Sequence, residues 1–122
     1  MAKKILVVED EPDVLEMLAS RLAECGYEVV RAQDAMHALR QAHRERPDLI
    51  ILDVNMPAGR GDTVYQNLKQ SSQTKEIPVF FLSAIPEVDL AKMAQELGVT
   101  SYMSKPYDPS ELIAKIREVL GG

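Results

Sequence analysis

Hydrophobic and polar positions follow two rhythms along this chain. Short runs rich in branched residues predict strands over Ile5–Val8, Val29–Ala32, Leu49–Leu52, Ile77–Leu82 and Ser101–Met103. The run at 49–52 holds no polar position, the pattern of a strand covered on both faces. The run at 101–103 is placed by its position in the order rather than by its composition. Between the runs, apolar residues recur at helical spacing: Val14, Leu15, Leu18, Leu22 and Cys25, then Ala35, Ala38, Leu39 and Ala42, then Val64 and Leu68, then Val88, Ala91, Ala94 and Leu97, and last Leu112, Ile113, Ile116, Val119 and Leu120.

The punctuation agrees with these elements. Gly26, Gly98 and Gly121 each follow a helical pattern, where a left-handed cap is easiest for a residue without Cβ. Asp108, Pro109 and Glu111 have the form of a helix start, with an N-cap, a first-turn proline and a capping-box acid. Five strands alternating with five helices predict an α/β fold, a doubly wound parallel sheet with helices on both faces. The pattern leaves the strand order open.

A chain of 122 residues fits one domain spanning 1–122. With 46% hydrophobic and 27% charged residues it has the composition of a folded domain rather than a disordered one. A net charge of −5 argues against a general phosphate-tracking surface, so direct nucleic acid binding is not expected, although a local basic patch stays open. The only cysteine is Cys25, so no disulfide forms within the chain, which suits a cytoplasmic location. The N-terminal apolar run is too short for a signal peptide or a membrane span.

Polar residues collect at the strand ends. The first run leads into Glu9-Asp10-Glu11, the third into Asp53 and then Asn55, the fourth into Ser83, and the fifth into Lys105-Pro106. In a parallel sheet these ends share one edge, where ligands bind. Three carboxylates brought together ionise in comfort only beside a cation, and hard oxygen donors of this kind suit Mg²⁺. A carboxylate beside such a metal can act as a nucleophile toward phosphorus. Lys105 and Ser83 are then placed to meet the outer oxygens of a transferring phosphoryl group.

With these residues in order, the chain resembles the receiver domain of the response regulators of bacterial two-component signalling. The resemblance runs through Val7-Val8-Glu9-Asp10-Glu11, Asp48-Leu49-Ile50-Ile51-Leu52-Asp53-Val54-Asn55-Met56-Pro57 with Gly61, Phe81-Leu82-Ser83-Ala84, and Gly98-Val99-Thr100-Ser101-Tyr102-Met103-Ser104-Lys105-Pro106. It implies a flavodoxin-like sheet in the order 2-1-3-4-5. It also implies Asp53 as phosphoacceptor, with a histidine kinase or a phosphotransfer protein as donor. Mg²⁺ would be held by Asp10, Asp53, the backbone carbonyl of Asn55 and, through water, Glu9. Ser83 and Lys105 would assist the transfer, Ser83 and Tyr102 would form the switch, and the bond before Pro106 would be cis. An output partner would bind through the fourth helix, fifth strand and fifth helix. Asn55 and Ile85 would flank the site and govern water access.

Three features depart from the family pattern. Glu9 stands where Asp is commoner, and the loop Ala58-Gly59-Arg60-Gly61 carries an extra glycine and an arginine. Thr100-Ser101 replaces an acidic pair that serves dimerisation in members with winged-helix outputs, which argues against that dimer here.

Plainer readings exist for each residue. Asp53 alone would be a turn residue, Glu9 and Asp10 would cap the helix that starts at Pro12, and Lys105 would be a solvated cation. Their joint order outweighs these readings. Cys25 falls on the core stripe of the first helix, His37 and His43 are spaced poorly for a shared metal, and Met36, Met56, Met93 and Met103 serve as gap-fillers. Arg60-Gly61-Asp62 is read as a chance tripeptide. Three other functions compete. A receiver-fold module that takes no phosphate would lack one of the required groups, and all are present. A haloacid dehalogenase-type phosphatase needs an acid where Asn55 stands. A flavodoxin-like cofactor binder needs a phosphate-cradling loop where Glu9-Asp10-Glu11-Pro12 stands.

Overall fold

The computed structural model describes residues 2–54 and 61–121. Asn55, Met56, Pro57, the loop positions Ala58, Gly59 and Arg60, and the side chain of Asp62 lie outside that description. Among the described residues the elements run β1 (Lys4–Val8), α1 (Pro12–Glu24), β2 (Glu28–Ala32), α2 (Ala35–Glu45), β3 (Leu49–Leu52), α3 (Gly61–Gln70), β4 (Val79–Ser83), α4 (Glu87–Leu97), β5 (Ser101–Ser104) and α5 (Pro109–Leu120). The sheet is parallel in the order β2-β1-β3-β4-β5. The handedness of the crossovers explains which helix covers which face. The step from β1 to β2 goes one way and puts α1 on one face, while the three following steps go the other way and put α2, α3 and α4 opposite. The helix α5 then returns to the side of α1.

The core is therefore double. One half joins Leu6, Val8, Ile50, Leu52 and Phe81 to residues of α2, α3 and α4. The other joins Ile5, Val7, Leu49, Ile51, Phe80 and Leu82 to α1 and α5. The strands β1, β3 and β4 face apolar neighbours on both sides, which is why their runs carry no alternation. The edge strands β2 and β5 are only partly covered. At the end of the sheet away from the strand C-termini, Asp48 Oδ2 accepts the Lys4 backbone N–H at 2.8 Å and the Lys4 carbonyl accepts the Asp48 N–H at 2.7 Å, which pins β1 against β3.

Several expectations are corrected. The fourth strand begins at Val79, not Ile77, because Pro78 has no N–H and the Ile77 N–H turns back to the Thr74 carbonyl at 3.1 Å. Cys25 is exposed rather than on the core stripe, since α1 ends at Glu24 and the chain turns at Gly26 with φ 95°. Val88 is 79% exposed, because the inward stripe of α4 passes through Leu90 and Ala94. Met36 is 68% exposed and fills no gap, whereas Met93 and Met103 are partly buried against the core. Gly98 and Gly121 take left-handed caps as expected, and Asp108 accepts the Ser110 N–H at the start of α5. A cap the pattern did not disclose is Asp34, whose carboxylate accepts the His37 N–H at 2.9 Å. No helix among the described residues is long and apolar enough to cross a membrane.

The turn from α3 into β4 is closed by polar side chains. Thr74 is fully buried and its hydroxyl donates to the Leu68 carbonyl at 2.6 Å. Lys69 Nζ reaches over the turn to the Lys75 and Ile77 carbonyls at 2.8 and 3.2 Å. Replacing Thr74→Val keeps the side-chain shape but removes the donor from a buried carbonyl. Urea unfolding should show a loss of about 1–3 kcal/mol, and an unchanged midpoint would remove this bond from the fold's support.

Candidate functional site

Hydrogen bonds that continue the ladders past the strand ends set the site. The Glu9 N–H donates to the Ala32 carbonyl at 3.0 Å, the Asp53 N–H to the Val8 carbonyl at 3.1 Å, and the Lys105 N–H to the Ser83 carbonyl at 2.8 Å. Each of the three is thus fixed one step beyond the end of a strand. The reversal of strand order between β1 and its neighbours opens a crevice there, as in other sheets of this topology.

Glu9, Asp10 and Asp53 each bring one carboxylate oxygen to within 4.8 Å of the others. Glu9 and Asp53 are buried, and Asp10 is half-buried. The Lys105 ammonium donates to Glu9 Oε1 at 2.5 Å and to Asp53 Oδ2 at 3.4 Å. Burial opposes its charge, but the Glu9 hydrogen bond and the neighbouring charges of Asp53 and Glu9 outweigh it and hold the ammonium above the usual lysine range. Lys105 is therefore protonated and offsets part of the repulsion among the acids. The donor set, all carboxylate oxygen, fits a hard divalent cation such as Mg²⁺.

Glu9 touches the start of α1 without capping a helical N–H. The N-cap of α1 is Glu11, which makes no side-chain cap bond. The Glu11 N–H instead donates to Glu9 Oε2 at 3.3 Å, so Glu9 serves both the start of α1 and Lys105. Asp10 is left on the acidic cluster. Ser83 is fully buried at the end of β4, where its Oγ accepts the Ile85 N–H at 3.4 Å. Tyr102 is half-buried on β5, against the core half that contains Phe81 and Ile85. The Lys105–Pro106 bond is cis. Asn55 lies outside the described residues.

A cleft of about 410 Å³ opens from this cluster and runs between α1 and α5. Asp10, Asp53 and Lys105 stand at one end, and Val14, Met17 and Leu112 are among its apolar walls. Arg21 and Tyr107 also line it, and the pattern of the chain had not marked them as part of the site. The signals were there: Val14, Met17 and Arg21 share one face of a helix that starts beside the acids, and Tyr107 follows Lys105 by two residues.

Comparison with known proteins agrees with this geometry. The chain is 40% identical over 120 residues to the phosphate regulon transcriptional regulatory protein PhoB of Escherichia coli, covering 98% of this chain and 52% of that protein. It spans about half the length of the curated relatives it matches. The chemotaxis protein CheY4 of Vibrio cholerae superposes with a TM-score of 0.90 at 32% identity, covering 98% of this chain and 100% of that one. The receiver domain of the sensor histidine kinase PA1611 of Pseudomonas aeruginosa, whose structure holds a magnesium ion in its active site cleft, superposes with a TM-score of 0.89 at 25% identity over all of both chains. The family model of the response regulator receiver domain matches residues 5–117, and this chain belongs to that family.

Proposed function

We propose that this chain, as a single receiver domain over 1–122, is a cytoplasmic switch that accepts a phosphoryl group on Asp53, from a histidine kinase or a phosphotransfer protein, with Mg²⁺. The observation that supports this most is the meeting of Glu9, Asp10, Asp53 and Lys105 at one end of the sheet, from three strands far apart in sequence. Asp10 and Asp53 would hold the cation directly, Glu9 through water, and the Asn55 carbonyl would complete the set. When bound, Mg²⁺ supplies charge neutralisation for the acids and for the incoming phosphoryl oxygens.

An Asp53 carboxylate oxygen attacks the phosphorus of a donor phosphohistidine. The P–N bond breaks, and the departing imidazole takes up a proton. Lys105, already 3.4 Å from Asp53, meets one phosphoryl oxygen. The O–H of Ser83 is a donor that its bond from Ile85 does not use, and it is available to a second oxygen. Water later attacks the phosphorus and releases Asp53 as a free carboxylate. Moving Ser83 and the residues after it toward the phosphoryl group changes the surface of α4, β5 and α5, where an output partner binds, and Tyr102 follows. The net charge of −5 supports a protein partner there rather than nucleic acid.

Intact-mass measurement after incubation with acetyl phosphate should show one phosphoryl adduct with Mg²⁺, none without it and none in Asp53→Asn. The absence of both an adduct and beryllofluoride binding would replace this reading with that of a constitutive interaction module. In Lys105→Met the adduct should form about 10²-fold more slowly, and an unchanged rate would take Lys105 out of the reaction. Ile85 is half-buried beside Ser83, so Ile85→Glu should change the rate at which the adduct decays in time-course mass spectra. Decay identical to wild type would show that water does not pass this side chain.

A further inference from the structure

The strand β5 brings hydroxyls to the active edge on one face. Side chains alternate along it, so Tyr102 lies against the α2–α4 half of the core while Met103 lies against the other half, and Ser104 shares the face of Tyr102. The register pairs Tyr102 with Phe81 and Ser104 with Ser83, so the last rung between β4 and β5 is serine beside serine. Ser104 Oγ is buried and has no hydrogen-bond partner among the described residues. The neighbouring Ser83 Oγ takes the Ile85 N–H instead. Tyr102 and Ser104 also border an open groove of about 500 Å³ along β5, whose walls include Glu87, Glu111 and Lys115.

We infer that Ser104 is a positioning residue for the phosphorylated conformation, in which its buried hydroxyl bonds the phenol of an inward-turned Tyr102. This rests on the reading of Asp53 as phosphoacceptor and of Tyr102 as the ring that turns. Two small residues on the last rung leave room for a ring coming from the rung before. Residues two apart on one face of a strand are about 6.6 Å apart, a span that a tyrosine lying along the strand covers with its hydroxyl. A buried hydroxyl without a partner raises the free energy of the conformation that contains it. When the other conformation satisfies that hydroxyl, the difference biases the equilibrium toward the phosphorylated state, as a switch requires.

The test uses beryllofluoride with Mg²⁺ as the phosphoryl stand-in, titrated calorimetrically into the full chain. Ser104→Ala and Tyr102→Phe should each weaken binding about fivefold, the size of one neutral hydrogen bond. The double variant should be no weaker than either single one, because both remove the same bond. Ser104→Thr, which keeps the hydroxyl, should bind nearly as wild type. Urea unfolding without Mg²⁺ should find Ser104→Ala at least as stable as wild type, which separates the effect from damage to the fold. Unchanged affinity in Ser104→Ala, losses that multiply in the double variant, or a destabilised Ser104→Ala would each overturn the inference. A wild type that binds no beryllofluoride would instead overturn the phosphoacceptor reading, and this inference with it.

Discussion

The ammonium of Lys105 between Glu9 and Asp53 is the contact on which the working edge depends. Two buried carboxylates and a third beside them repel one another, and burial removes the water that would otherwise screen them. A cation delivered from the last strand makes their gathering tolerable. It reaches them because the Lys105 N–H continues the ladder from β5 onto the Ser83 carbonyl. The same backbone bond therefore fixes Lys105 to the acids and ties β5 to the strand that bears Ser83.

The apolar strands make this arrangement stiff. Three of the five are buried on both faces, so a slip in register would drive core side chains against the wrong neighbours. Glu9 and Asp53 need no loop to aim them, because each follows directly on a buried run. The cost of gathering charge is met by a core that is already closed. The cleft between α1 and α5 opens the acidic edge to solvent.

Much of this was legible in the chain. The central strands announce themselves because a buried parallel strand has no polar position, and the polar residues that follow them mark the site. The strand order came from family resemblance, since alternation of runs does not specify it. What escaped notice depended on local backbone. Pro78 delays β4, the turn at Gly26 carries Cys25 out to solvent, and the inward stripe of α4 falls on Leu90 rather than Val88. The hydroxyl of Ser104 escaped as well, because its significance lies in the partner across the sheet, and register is invisible before the sheet is built.

The division of the core into two halves bears on how such a domain can diversify. The cleft beside the acids borders the half shared by α1 and α5, whereas Tyr102 and α4 belong to the other half, with the sheet between them. Substitutions more than about 7–10 Å apart with no shared neighbours act nearly independently. Side chains on one side of the molecule can therefore change with little effect on the packing of the other. Only the backbone of the strands and the few residues at their ends must stay constant for both lineages of change to remain compatible.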